Sequence, residues 1–167
     1  LWMNSSGITL SLCFTHSAIF LKILGIWNTG QVNSYRNCKA LDAEVTIGMP
    51  VFNDIKFIEE SLDCILNQTF TNYILIISDD GSTDGSGEIC LKYAREHSKI
   101  NYVRQPKNLG ISKNMEFLLS QAETPYFMWA GDDDLLESDF IEVLLLKLKN
   151  DYESVGVFST YQRIDDN

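Results

Sequence analysis

The sequence predicts an α/β domain on a mostly parallel sheet with helices on both faces, and three observations carry that expectation. From residue 44 onward, short β-prone runs alternate with stretches of helical periodicity. The body of one run, Tyr73–Ser78, is continuously apolar, as strands buried on both faces are. Three polar clusters, 50–54, 79–84 and 131–134, fall where such runs end, the side of a doubly wound sheet on which ligands collect.

Taken in order, residues 1–43 stand apart from the rest. Ile8–Trp27 is largely apolar but broken by Thr15, His16, Ser17 and Lys22. A membrane span needs about 20 apolar residues with few interruptions, and a signal peptide would open on a basic stretch that is missing here. Three readings of this segment stand side by side: an extraneous extension, a membrane-associating helix giving peripheral attachment, and a packed accessory helix.

Val45–Met49 is the first β-prone run, ended by Pro50, and Asn53-Asp54 offers a cap for a helix carrying Ile58, Leu62, Ile65 and Leu66. Tyr73–Ser78 follows and enters a loop of turn formers, Asp79 to Gly85, in which Asp84 is placed to cap the next helix (Ile89, Tyr93, Ala94). Gly81 supplies the positive φ that a sharp strand exit requires. Tyr102-Val103 marks a third strand, and Met115, Leu118, Leu119 and Ala122 a third helix. Tyr126–Ala130 is a fourth strand running into Gly131-Asp132-Asp133-Asp134. Ser138 or Asp139 caps a helix over Phe140–Lys149, and Val155–Ser159 is a fifth strand. Strand–helix alternation at this spacing implies βαβ crossovers.

With 167 residues the chain holds one domain, and a net charge of −10 excludes the basic footprint of a nucleic-acid binder. The cysteines, Cys13, Cys38, Cys64 and Cys90, form no CxxC pair, and His16 and His97 do not complete a zinc site. Such thiols suit a reducing, cytoplasmic compartment.

Adjacent carboxylates past an apolar strand repel one another. A hard cation among Asp132, Asp133 and Asp134 reverses that, because Mg²⁺ and Mn²⁺ prefer oxygen ligands and bridge to substrate phosphates. A solvated acidic turn leading into the next helix is the plainer alternative. In the loop 79–85, a carboxylate accepts the imide N–H of a pyrimidine at small cost in contact area. The cluster Pro50–Asp54 could line a base pocket with backbone groups and an aromatic ring, but by itself it reads equally as an ordinary strand-to-helix turn.

These motifs, in this order, resemble glycosyltransferase family 2 with the Rossmann-like GT-A nucleotide-diphospho-sugar transferase fold. Val45 to Asp54 is similar to its opening strand and turn, Asn67-Gln68-Thr69-Phe70 to the segment closing its first helix, and Ser78 to Ser86 to its most characteristic loop. Asn108-Leu109-Gly110 resembles its Asn-x-Gly turn, and Gly131 to Asp134 stands where its metal-binding DxD-type motif belongs. The resemblance implies a nucleotide-sugar-binding domain over 44–167. Pro50, Val51 and Asn53 would flank the nucleotide and Asp80, with Asp79 and Gly81 in the same loop, would meet the base. Asp132 would lie near ribose or phosphates, and Asp133 would be the principal metal ligand, with Asp132 and Asp134 beside it. It further implies an inverting transfer from a nucleoside-diphosphate sugar, usually UDP-linked, to a glycan or lipid-linked acceptor with Mn²⁺ or Mg²⁺. The setting would be cell-surface polysaccharide or glycoconjugate synthesis on the cytoplasmic face of a membrane.

Two departures qualify the resemblance. Where the family has Ala-Arg-Asn, this chain has Ser112-Lys113-Asn114, so that Lys113 either offers the diphosphate a point charge rather than a planar fork or is a surface lysine on a helix. The chain stops at Asn167, before the acceptor half and catalytic base are expected, which predicts a domain truncated at its C-terminus. Asp165 and Asp166 have no matched role. Two alternatives remain open: a non-catalytic nucleotide- or metal-binding fragment, and a regulatory α/β module of the phosphoacceptor kind.

Overall fold

The computed structural model describes residues 42–159 with their side chains, and the backbone of 2–3, 9–10 and 19–22. In chain order the elements are β1 (Trp2–Met3), β2 (Thr9–Leu10), β3 (Ile19–Lys22), β4 (Val45–Val51), α1 (Ile58–Leu66), β5 (Tyr73–Asp79), α2 (Ser86–Glu96), β6 (Ile100–Arg104), α3 (Ile111–Ser120), β7 (Tyr126–Trp129), α4 (Phe140–Asn150) and β8 (Gly156–Phe158). Six of the strands form one sheet in the order β6-β5-β4-β7-β3-β8, while β1 and β2 pair with each other. Registers β4/β5, β4/β7 and β5/β6 are parallel, and β3 runs antiparallel to both β7 and β8. The mostly parallel α/β sheet expected from the strand–helix alternation is therefore present.

Alternation along the strands explains the layers. Val45, Ile47, Met49 and Val51 of β4 point to one face with Tyr73, Leu75 and Ile77 of β5 and Met128 of β7. There they meet Ile58, Leu62 and Ile65 of α1, Cys90 and Tyr93 of α2, and Ile141, Leu144, Leu145 and Leu148 of α4. The other face carries Ile76, Phe127 and Trp129 under Leu118 of α3. Both faces bear helices, but three pack on one and a single helix on the other. All seven positions of β4 and of β5 are buried, as strands covered on both sides should be. Each fully buried aliphatic side chain of this core contributes about 1.5–3 kcal/mol of transfer free energy.

Several local expectations are corrected. Asn53 and Asp54 do not cap α1, whose N-cap is Phe57 without a side-chain bond. Asn53 instead takes a left-handed φ of 54° and serves the loops described below. Neither Ser138 nor Asp139 caps α4 with its side chain. Buried Gln68 does so from across the fold, its Nε2 donating to the Glu137 carbonyl at 2.7 Å and its Oε1 accepting from Ile141 N–H at 3.1 Å. Asp84 precedes the N-cap Gly85 and accepts from the first helical N–H of α2, that of Ser86, at 2.9 Å. Within the apolar run for which the sequence admits a helix, residues 19–22 form a strand that joins the main sheet, so the sheet draws on chain ahead of residue 44. The rest of residues 1–41, and Asp165 and Asp166, lie outside the described residues. Among the described residues no helix is long and apolar enough to cross a membrane.

Candidate functional site

Strand order places the polar clusters. β4 is central, with β5 on one side and β7 on the other, so the loops leaving all three open along one edge of the sheet. A cleft of about 320 Å³ lies there, lined by Pro50, Val51, Phe52, Asp80, Asn108, Gly110, Ile111, Asn114 and Asp132. That volume is at the lower end of the range for small-molecule sites. Asp80 and Asp132, 52 positions apart in sequence, face the same space from opposite sides of Val51-Phe52.

The wall on the β5 side is held by a set of matched hydrogen bonds. Asp80 N–H donates to the Val51 carbonyl at 2.8 Å. Three consecutive backbone N–H groups, of Asn53, Asp54 and Ile55, donate to Ser82 Oγ (3.0 Å), Ser86 Oγ (2.9 Å) and Asp84 Oδ2 (2.9 Å). Asn53 returns one bond, its Oδ1 accepting from Thr83 N–H at 2.7 Å. The alternating Ser82, Asp84 and Ser86 thus receive the loop after β4. A left-handed Asn is among the non-glycine residues that tolerate that backbone.

The carboxylates of this loop have distinct surroundings. Asp79 is fully buried and points away from the cleft, accepting from Ser82 N–H (2.7 Å), Tyr102 Oη–H (2.6 Å) and Arg104 Nη1 (2.7 Å). Burial alone would push its carboxyl up, but the hydrogen bonds from Tyr102 and Ser82 and the Arg104 charge outweigh it and hold the group below its usual range. Asp80 lies in the cleft wall with both oxygens engaged, Oδ1 by Leu109 N–H at 2.7 Å and Oδ2 by Gly110 N–H at 2.9 Å. It therefore sets the Asn-x-Gly turn that forms the opposite lip. Gly81 has the expected positive φ, 83°, and packs near the backbone of Lys107 and Asn108 rather than in the cleft.

The loop after β7 is differently provided. Asp132 accepts one hydrogen bond from the chain beside it, from Phe52 N–H at 3.2 Å. Burial pushes its carboxyl up to about 7, aided by the negative charges of Asp54 and Asp133 against the Phe52 bond. The same crowding raises Asp54, through burial first and then Asp133 and Asp84. Asp134 turns back on its own loop and accepts from Gly131 N–H at 2.8 Å. Asp133 is exposed at the rim.

Among the described residues no group of three His, Cys, Asp or Glu side chains converges as a ready metal cage. The donor set nevertheless fits a hard cation that arrives with a phosphate ligand. It offers only carboxylate oxygens, Mg²⁺ commonly takes one or two of them, and the raised Asp132 shows negative charge in need of compensation. Of the residues expected at the site, Pro50, Val51, Asp80 and Asp132 line the cleft, with Asp133 and Asp134 in the adjoining loop. Asn53, Asp79 and Gly81 stand behind its wall. Lys113 is exposed on the first turn of α3 and does not line it.

Asn114 and Arg104 carry roles that the sequence did not reveal. Asn114 is buried in the cleft floor, its Nδ2 donating to the Ser78 carbonyl at 2.8 Å and its Oδ1 accepting from Ser78 Oγ–H at 2.5 Å. A buried Asn inside an otherwise apolar helical face is the available signal. Arg104 ends β6 directly across the ladder from Asp79, a pairing visible only once the register is known.

Residues 46–167 match the family model described as glycosyl transferase family 2. The chain is similar to the glycosyltransferase GlyA of Streptococcus pneumoniae serotype 4, 31% identical over 72% of this chain and 17% of that protein. It is likewise similar to the chondroitin synthase of Escherichia coli, 31% identical over 72% of this chain and 18% of that protein. The chain thus spans under a fifth of these two relatives. Among solved structures, TarS 1–349 of S. aureus in complex with UDP-GlcNAc superimposes with a TM-score of 0.59 at 23% identity, over 64% of this chain and 31% of that one. A mannosyltransferase of Pyrobaculum calidifontis in complex with GDP-Man and Mn²⁺ gives 0.58 at 22% identity, over 68% and 34%. At such identities the structures speak for the fold alone.

Proposed function

The chain belongs to glycosyltransferase family 2, and from that premise we propose that it forms the donor-binding part of an inverting glycosyltransferase using a UDP-linked sugar and Mn²⁺ or Mg²⁺. One observation carries the reading: Asp80 and Asp132, from loops far apart in sequence, line one cleft together with Pro50, Val51 and Phe52. The complexes of the two structural neighbours with UDP-GlcNAc and with GDP-Man and Mn²⁺ support it.

Each part of the cleft has a chemical task. Asp80 holds the lip through Leu109 and Gly110, and each oxygen keeps a lone pair that accepts the imide N–H of uracil. The half-exposed ring of Phe52 offers a flat apolar surface beside it. Asp132 and Asp133 would hold the cation, which when bound would supply charge compensation to the diphosphate. Lys113 adds a point charge near the rim if its side chain swings toward the phosphates. No described side chain is assigned as the base that takes the acceptor proton. The chondroitin synthase among the relatives favours polysaccharide or glycoconjugate synthesis, and with it we propose a glycan or lipid-linked acceptor at the cytoplasmic face of a membrane.

Isothermal titration of the chain with UDP, with and without Mn²⁺, tests the reading. Binding should depend on metal and weaken at least about tenfold, roughly 1.4 kcal/mol, in Asp133→Ala. Metal-independent binding that Asp133→Ala leaves untouched would count decisively against it.

A further inference from the structure

We propose that Arg104 is a positioning residue of the donor cleft: from the edge strand β6 it fixes the peptide of Ser82 and, through Ser82, the loop 51–55 that walls the cleft. The consequence for donor binding rests on the function proposed above, whereas the control of loop geometry does not.

Ser82 is held at three atoms. Its N–H donates to Asp79 Oδ1 at 2.7 Å, its carbonyl accepts from Arg104 Nη2 at 2.6 Å, and its Oγ accepts from Asn53 N–H at 3.0 Å. The first two bonds orient the residue, and the third passes that orientation to the loop after β4. The other arm of Arg104, Nη1, reaches Asp79 Oδ2 at 2.7 Å. One planar fork therefore spans a carboxylate on β5 and a carbonyl in the loop, which a lysine ammonium, a single point charge, does not reproduce.

Two neighbours sharpen the assignment. A Cβ on Gly87 would sit 2.5 Å from Asp79 Oδ2 and 2.6 Å from Arg104 Nη1, so a glycine at the start of α2 leaves the space this fork occupies. Tyr102 donates to the same carboxylate and contacts the Arg104 side chain, but the bond from Arg104 to the Ser82 carbonyl does not pass through it. If the cluster served stability alone, Tyr102 and Arg104 would be equivalent. The Arg104 side chain is 45% exposed while its partner Asp79 is buried, so the ion pair serves stability, and the separate bond to the Ser82 carbonyl serves the loop. Its effect should appear in loop geometry.

Amide hydrogen exchange and UDP titration with Mn²⁺ on the wild-type chain, Arg104→Lys, Arg104→Gln and Tyr102→Phe test the proposal. Both Arg104 variants should remain folded, with exchange at Asn53 and Thr83 faster by about tenfold, amides of α4 unchanged, and the Kd for UDP raised by about tenfold. Tyr102→Phe should lower the melting temperature without accelerating Asn53 or Thr83 or changing the Kd. Unchanged exchange at Asn53 and Thr83 in either folded Arg104 variant overturns the proposal. Faster exchange with an unchanged Kd overturns its link to the cleft. If the wild-type chain binds no UDP while the loop responds as stated, the donor-site reading fails and the positioning of the loop by Arg104 stands.

Discussion

The loop after β5 and the loop after β7 both present carboxylates at the end of a buried parallel strand, yet they meet opposite electrostatic fates. In the first, Asp79, Asp80 and Asp84 each accept at least two hydrogen bonds, and Asp79 and Asp84 are held below the usual carboxylate range despite desolvation. In the second, Asp132 accepts one long bond from Phe52, and burial lifts it to about 7. Residue type is the same, although Asp79 ends β5 while Asp132 stands three residues past Trp129 at the end of β7, and the donors around them differ. The β5 loop is a satisfied scaffold. Asp132 in the β7 loop is lifted by burial, and there a cation would have something to contribute.

The sharpest way to break this contrast is to remove each carboxylate in turn. Asp79→Ala should destabilise the chain by about 3 kcal/mol, because three donors lose their acceptor while the half-exposed Arg104 limits the ion-pair share; chemical denaturation measures it. Gly87→Ala, which inserts a methyl into the same cluster, should cost about 1–3 kcal/mol by overpacking. Asp132→Asn should leave the melting temperature unchanged or raised while abolishing Mn²⁺-dependent nucleotide binding. A large loss of stability in Asp132→Asn would erase the distinction between the loops.

Stability against pH should show the two signs separately. Asp79 has a depressed folded pKa, so its contribution is complete above the unfolded carboxylate value of about 3.9 and is lost as pH falls through the folded value. Asp132 has a raised folded pKa, so the metal-free fold binds the extra proton and loses stability as pH rises from about 4 to about 7. In metal-free buffer Asp132→Asn should flatten the decline toward pH 7 and leave the acid limb in place. An Asp132→Asn profile superimposable on wild type would contradict the assignment.

The contrast also marks where the sequence stopped being legible. Strand and helix order, the doubly buried β5 and the positive φ of Gly81 follow from periodicity and turn chemistry, which are local. The gathering of three loops at one edge follows from βαβ connectivity. Which carboxylate each donor serves does not, since Leu109 reaches Asp80 and Arg104 reaches Asp79 only through tertiary register. Asn53 illustrates the point: the same short amide that suits a helix cap suits a left-handed bridge between loops, and only Ser82 and Thr83, 29 and 30 residues away, decide between them. Gln68 capping α4 from another element is a second case. Strand β3 was hidden for a different reason, because Ala18–Leu21 is a short continuous apolar stretch that fits a buried strand or a buried helix equally.

The central claim is that the under-compensated loop after β7 is where a cation meets the diphosphate. Phosphorus relaxation of UDP bound to the chain, titrated with Mn²⁺, reads that encounter directly. Strong paramagnetic broadening of the β-phosphorus in the wild-type chain, absent in Asp132→Asn and retained in Asp84→Asn, is the expected result; equal broadening in the wild-type chain and Asp132→Asn would contradict it.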